Sequence, residues 1–210
     1  MEPVMILLQK NHLKAALSHA AGRDIRYYLN GILVEFTQPG DIHLVATDGF
    51  RMFCGLIFAK DAKWTGTPQK GPFRIIIPSD VVKMAVKGKT PNVVELASTP
   101  DGKFRLGDMI FAPVDGTFPD WRRAVPSSYL PQAPARFDFR LLADAQQALR
   151  EWHDDQKLEP KLRSFGPHKS GIMNGANCTA FVVVVQLPGE GDADVTPFKP
   201  CSYEAVPLSA

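Results

Sequence analysis

The chain has 210 residues, 45% hydrophobic and 22% charged, with 24 lysines and arginines against 22 aspartates and glutamates. This is the composition of a globular protein with enough apolar material for a core, and no apolar run approaches the roughly 18 residues of a membrane-spanning helix. A formal net charge of +2 does not by itself point to nucleic acid; what matters is whether basic residues gather on one face.

Residues 1–8 are acidic at the start, and their apolar run breaks at Gln9 and Lys10, unlike a secretory leader. Cys54, Cys178 and Cys201 have neither zinc-ligand nor redox spacing and read as thiols of a reducing compartment. The expectation is a cytoplasmic protein with no metal, no cofactor and no membrane partner.

In chain order, an apolar run at 4–8 precedes a helix over about 10–21, where Leu13, Ala16, Leu17 and Ala20 recur at three- and four-residue steps. Three strands follow at 27–36, 41–47 and 51–58, separated by Gln38-Pro39-Gly40 and Asp48-Gly49. A second unit opens at 73–77. Pro78 introduces its helix, striped by Val81, Val82, Ala85 and Val86, and its strands fall at 92–97, 103–106 and 109–113. A third opens at 136–139, with a helix striped by Leu141, Leu142, Ala145, Ala148, Leu149 and Trp152 and strands at 161–165, 169–173 and 179–187. The unit strand-helix-strand-strand-strand thus occurs three times, an α+β pattern with antiparallel hairpins. Residues 60–72 and 127–135 read as linkers, and the Pro- and Gly-rich stretch 189–210 as an extended appendage. Two such units close a domain around a shared core, so the third lacks an internal mate and predicts an intermolecular one.

Three segments carry a family resemblance: Asp24-Ile25-Arg26-Tyr27-Tyr28-Leu29-Asn30-Gly31, Val45-Ala46-Thr47-Asp48-Gly49-Phe50-Arg51-Met52, and Val114-Asp115-Gly116-Thr117-Phe118-Pro119-Asp120-Trp121-Arg122-Arg123-Ala124-Val125-Pro126. In order and spacing they resemble the middle domain of the bacterial sliding clamp, the DNA polymerase III beta subunit. Residues 136–188 resemble the second half of that family's last domain. The resemblance implies a DNA-clamp fold of repeated β-α-β-β-β units, one complete clamp domain over 1–126 plus a half domain.

It further implies a non-enzymatic processivity factor whose helices face double-stranded DNA. The first helix region has four basic residues, Lys10, Lys14, Arg23 and Arg26, against Asp24, and the second has Lys83, Lys87 and Lys89 against Asp80. These suit sequence-independent phosphate attraction, or are solvated helix faces. The third helix has Arg140 and Arg150 against Asp144, Glu151, Asp154 and Asp155, and reads as a solvated face. Arg26, Tyr27 and Tyr28 sit where the family presents a DNA-contacting loop; the alternative is that the tyrosines alternate in and out of a strand.

The family also has a groove for apolar peptides of polymerases and clamp loaders. Position by position it falls on Thr47, Gly49, Phe50, Arg51, Met52, Pro126, Val183, Val184, Val185 and Gln186, where the alternative for the valines is plain core strand. The family's His and Leu are Phe50 and Met52 here, and its Met-Pro-Met-Arg ending is Val184-Val185-Gln186-Leu187. Glu151, His153, Asp154 and Asp155 point in different directions from one helix end and do not make a metal site. Two functions follow from the resemblance: a homo-oligomeric clamp, as dimer or tetramer, and a truncated clamp mimic that binds clamp-interaction peptides or a host clamp without forming a ring.

Overall fold

A computed structural model of the chain describes residues 5–37, 40–64, 73–88, 91–126, 136–165, 170–175 and 179–187. Their strands are β1 (Met5–Gln9), β2 (Gly31–Phe36), β3 (Ile42–Thr47), β4 (Arg51–Ile57), β5 (Lys63–Trp64), β6 (Phe73–Pro78), β7 (Val93–Ser98), β8 (Phe104–Leu106), β9 (Met109–Phe111), β10 (Lys161–Arg163), β11 (Gly171–Asn174) and β12 (Ala180–Val184). The helices are α1 (Lys10–Leu17), α2 (Ser79–Ala85) and α3 (Phe139–His153). The strands form two antiparallel sheets, β5-β1-β7-β8-β9 and β10-β11-β12-β4-β3-β2-β6.

The first two units exchange their leading strands. β1 pairs with β7 of the second unit, from Met5↔Ala97 to Gln9↔Val93, while β6 pairs with β2 of the first, from Gly31↔Pro78 to Phe36↔Phe73. The third unit joins through its last strand: β12 pairs with β4 from Ala180↔Gly55 to Val184↔Arg51. The seven-stranded sheet therefore runs without a break from the third unit into the first.

The helices pack on one face of this sheet, with α1 touching both α2 and α3. Each starts where its sequence supplies a boundary. Pro78 precedes α2, and the Asp138 carboxylate caps α3 by accepting from the Arg140 N–H at 2.8 Å. The third helix ends at Asp154, which takes the left-handed conformation at φ 51°. One buried cluster joins Leu13 and Ala16 of α1, Val82 of α2, and Ala145, Leu149 and Trp152 of α3 to residues of both sheets, including Ile6, Leu96, Val34, Phe53 and Val184. A second cluster covers the opposite face of the larger sheet, where Leu33, Val45, Met52, Cys54, Ile76 and Val183 meet Leu29, Phe118 and Trp121. The sheet thus separates a helix side from an outer side, and strand alternation assigns each residue to one of them.

Four expectations are corrected. Residues 27–29 form a short 3-10 turn, and the strand begins only at Gly31. Here Asn30 bridges back to residue 24, its Oδ1 accepting from the Asp24 N–H at 2.8 Å and its Nδ2 donating to the Asp24 carbonyl at 2.9 Å. The opening of the third unit at 136–139 is not a strand: Phe139 already belongs to α3, and the Arg136 carbonyl accepts from the Leu187 N–H at 2.8 Å without a strand ladder among the described residues. Within the expected linker 60–72, Lys63–Trp64 forms β5 on the edge of β1. Finally, α1 stops at Leu17, where the Ser18 hydroxyl bonds the Ala15 carbonyl at 2.8 Å. The segments 127–135 and 189–210, with Cys178 and Cys201, lie outside the described residues.

Candidate functional site

An apolar cavity of about 240 Å³ lies on the outer side, at the seam between β4 and β12. Thr47 at the end of β3, Met52 of β4, and Val183 with Val185 from β12 and its extension line its base. One wall is the segment 118–124, through Phe118, Pro119, Asp120, Trp121 and Ala124. Arg26 and Leu29 stand on another side, with Gly49, Phe50 and Arg51 at the lip. The seam is closed at the lip by the Val185 N–H bonding the Phe50 carbonyl at 2.9 Å.

The lip is built by the Asp48-Gly49 turn. Gly49 has φ 93°, a left-handed conformation that favours glycine. The Asp48 Oδ1 accepts from the N–H groups of Phe50 and Arg51 at 2.9 and 3.0 Å, which leaves the Phe50 ring 67% exposed beside the cavity. Arg51 runs through the seam to the helix side. Its Nε meets Asp48 at 3.0 Å, its Nη1 pairs with Asp144 of α3, and its Nη2 donates to the Ser18 carbonyl at 3.3 Å.

Glu35, on the outer side of β2, has a nearly buried carboxylate. It accepts from Trp121 Nε1 at 3.1 Å and from Arg122 Nη2 at 2.9 Å, and pairs with Arg74 Nε at 2.8 Å. Burial pushes its pKa up, but the bonds from Arg122 and Trp121 and the two guanidinium charges outweigh that and hold it below the usual carboxylate range. The neighbouring Cys54 thiol is pushed up to about 12 by burial, which makes it inert.

Of the ten residues expected at a groove, Thr47, Gly49, Phe50, Arg51, Met52, Val183 and Val185 come together around this cavity, whereas Pro126 and Gln186 are not among its lining. Val184 is placed elsewhere: it is fully buried in the helix-side cluster, because alternation turns it away from Val183 and Val185. The wall residues Phe118 to Ala124 and Leu29 were not expected at this site. Their signal was the Phe118-Pro119-Asp120-Trp121 stretch, whose apolar residues had no strand or helix of their own to join.

The expected DNA-facing residues divide. Lys10 is 7% exposed and its Nζ donates to the Lys87 carbonyl at 3.3 Å, so it is held inside the β1–α1 junction rather than presented to a partner. Lys14, Lys83 and Lys87 are exposed on the helix side, where Lys14 lies 3.6 Å from Glu151 and Lys83 3.1 Å from Asp80. Arg23 and Tyr27 are exposed, and Tyr28 packs on the outer cluster. Arg26 forks onto Asp24, at 2.9 and 2.7 Å, and lines the cavity. Beside α1, Asp144 and Glu151 of α3 line a depression shared with Lys14, with Glu151 set against the Lys14 ammonium, which interrupts a basic face.

Units that exchange leading strands and join sheet to sheet, with helices on one side, make a sliding-clamp architecture. The beta clamp of Helicobacter pylori, solved bound to a DNA ligase peptide, matches with TM-score 0.70 at 14% identity, over 90% of this chain and 67% of that one. The DNA polymerase III subunit beta of Pseudomonas aeruginosa matches with TM-score 0.66 at 17% identity, over 89% and 66%. At these identities the likeness is one of fold.

In sequence, the beta sliding clamp of Escherichia coli K12 is 33% identical over 124 residues, 57% of this chain and 32% of that protein. That of P. aeruginosa is 33% identical over 138 residues, 62% and 33%. The matched stretch thus spans about a third of these relatives' length. No family model matches the chain. The chain is a sequence relative of the bacterial beta sliding clamps and has their fold.

Proposed function

We propose that this chain is a non-catalytic, clamp-like replication factor that holds short apolar peptides of polymerases or clamp loaders in the β4–β12 groove and assembles with copies of itself around duplex DNA. The groove carries the reading. It is apolar at its base, open at the lip, flanked by two arginines and built from two units at once, as a peptide site needs to be. The H. pylori clamp that shares this fold was solved with a ligase peptide bound.

Self-assembly is supported by the third unit. β2 is flanked by β6 and β7 by β1, but among the described residues no strand lies on the outer edge of β10, whose three residues are all exposed. Phe139, at the start of the same unit, is 83% exposed. An open edge beside an exposed aromatic suits a second copy. The clamp resemblance implies a ring of twelve such units, which at three units per chain takes four chains. Such a factor acts in the bacterial cytoplasm, where replication takes place; no described helix is long and apolar enough to cross a membrane. The acidic side chains of α3 beside Lys14 favour a second reading, a clamp mimic that binds the peptides without encircling DNA.

The test is titration of a fluorescein-labelled peptide bearing Leu and Phe against wild type and Val185→Asp. Val185 is 43% exposed at the groove, so its substitution leaves the core intact. Saturable binding lost in the variant is expected. Equal binding, or none to wild type, removes the groove.

A further inference from the structure

The wall of the groove is weakly tied to the sheet it stands on. The Val114 N–H reaches the Ile76 carbonyl at 3.0 Å; beyond it, among the described residues, the main-chain bonds Arg123 N–H to Asp120 and Val125 N–H to Arg122 close within the wall's own turn. Apolar contacts of Phe118, Trp121 and Val125 with the outer cluster supply adhesion but little direction. What orients the turn is one carboxylate. Glu35 takes hydrogen bonds from two consecutive wall residues, at 3.1 Å from Trp121 Nε1 and at 2.9 and 3.3 Å from the two terminal nitrogens of Arg122. Arg74, directly across from Glu35 on β6, fixes the carboxylate from the other side at 2.8 Å. The Arg122 guanidinium also lies over the Trp121 ring, 4.2 Å from its centroid.

Glu35 and Arg122 do not line the cavity, whereas Trp121 does. A charged fork of this kind gives geometry as well as energy, and truncating it leaves two guanidinium groups facing each other without an anion. We propose that Glu35 is a positioning residue of the groove: it holds the Trp121 face in place for the peptide and thereby sets affinity without touching the occupant. This rests on the peptide-groove reading.

The experiment compares wild type with Glu35→Gln, which keeps the shape and one acceptor but loses the charge. It also uses Arg122→Gln, which leaves Glu35 with Arg74 and Trp121, and a remote control, Glu95→Gln, which removes an ion pair to Arg105 on the smaller sheet. Each is read by titration with the labelled Leu- and Phe-bearing peptide, by circular dichroism, and by the fluorine resonance of Trp121 in 5-fluorotryptophan-labelled protein, assigned with Trp121→Phe. Glu35→Gln is expected to raise the peptide Kd about tenfold and to shift or broaden the Trp121 resonance, leaving that of Trp152 in place. Arg122→Gln moves both readouts the same way by less, and Glu95→Gln moves neither.

Wild-type affinity in a folded Glu35→Gln overturns the proposal; if that variant does not fold, Arg122→Gln decides by the same criterion. Should wild type itself fail to bind the peptide, the groove reading falls on its own. The fluorine arm then still judges Glu35, and an unmoved Trp121 resonance overturns its part.

Discussion

Replacing Gly55 by alanine is expected to destabilise the protein through one ring. Gly55 lies on β4 opposite Ala180 of β12, and the six-membered ring of Trp152 of α3 packs against it. A Cβ at this position would sit 2.8 Å from Trp152 Cε3 and closer still to Cζ3 and Cη2, inside any real contact distance. The indole cannot easily retreat. His12 of α1 stacks on it at 3.9 Å, Phe53 lies 5.6 Å away, and its Nε1 bonds Thr179 at 3.3 Å. Overpacking of this kind costs about 1–3 kcal/mol, and with the ring held on several sides the upper half of that range applies. Trp152→Leu alone costs about 2–4 kcal/mol as a large-to-small change in a core.

The two effects are not independent. In the Trp152→Leu background the Gly55 methyl meets no ring, and its cost should fall below about 0.5 kcal/mol. Urea denaturation of the four proteins measures the cycle. Because Trp152 docks α3 over the β4–β12 seam, peptide affinity should weaken in Gly55→Ala and recover in part in the double variant. An equal cost of Gly55→Ala in both backgrounds would refute the reasoning.

Other outcomes follow from the same geometry. Val184→Asp, which puts a charge in the helix-side core, should fail to fold or lose several kcal/mol (about 3–5), whereas Val185→Asp should keep its melting temperature within a few degrees and lose only peptide binding; circular dichroism melts separate them. Burial, and beyond it the charge of His153, hold His12 at a pKa of about 4, and burial and then Arg51 hold His19 at about 4. Since the unfolded chain takes these protons first, stability is complete above about pH 6.5 and falls as the pH drops toward 4. Each histidine removes about 2 kcal/mol by pH 5, and urea titrations at pH 7.5 and 5 that show no loss would contradict this. Asp144→Ala, which frees Arg51 from α3, should cost only about 0.5–1 kcal/mol, as expected of a pair with one exposed partner; a change beyond about 2 kcal/mol would mean that the link does more than pin the helix end.

The three-unit plan was legible in the sequence because each unit repeats the same change of period, from helix stripes such as Leu13, Ala16 and Ala20 to alternating strands bounded by turn residues. The exchange of β1 and β6 was not, since local pattern says nothing about which sheet receives a strand. The leading segment of the third unit reads as a strand from Phe137 and Phe139, yet among the described residues no strand pairs with it, and the Asp138 cap turns it into α3. At the site, Thr47 to Met52 were reached through the family resemblance alone, and the structure adds that the Asp48 carboxylate holds their turn. The parity of the valines was hidden, for an unbroken run 182–185 has no polar residue to mark the outer side. Lys10 looked like a basic helix residue, and only the β1–α1 junction shows that its ammonium turns inward to the Lys87 carbonyl. The wall held by Glu35 depends on contacts between residues 86 and 87 positions apart, which no window of sequence displays.

The claim that this three-unit chain acts as a clamp by self-assembly is tested most directly by its mass in solution, measured by light scattering over a wide range of protein concentration. A species of four chains is predicted, reduced by Phe139→Arg together with Leu162→Arg at the open third-unit edge. A strict monomer at every concentration would contradict the ring and leave the peptide-binding mimic in its place.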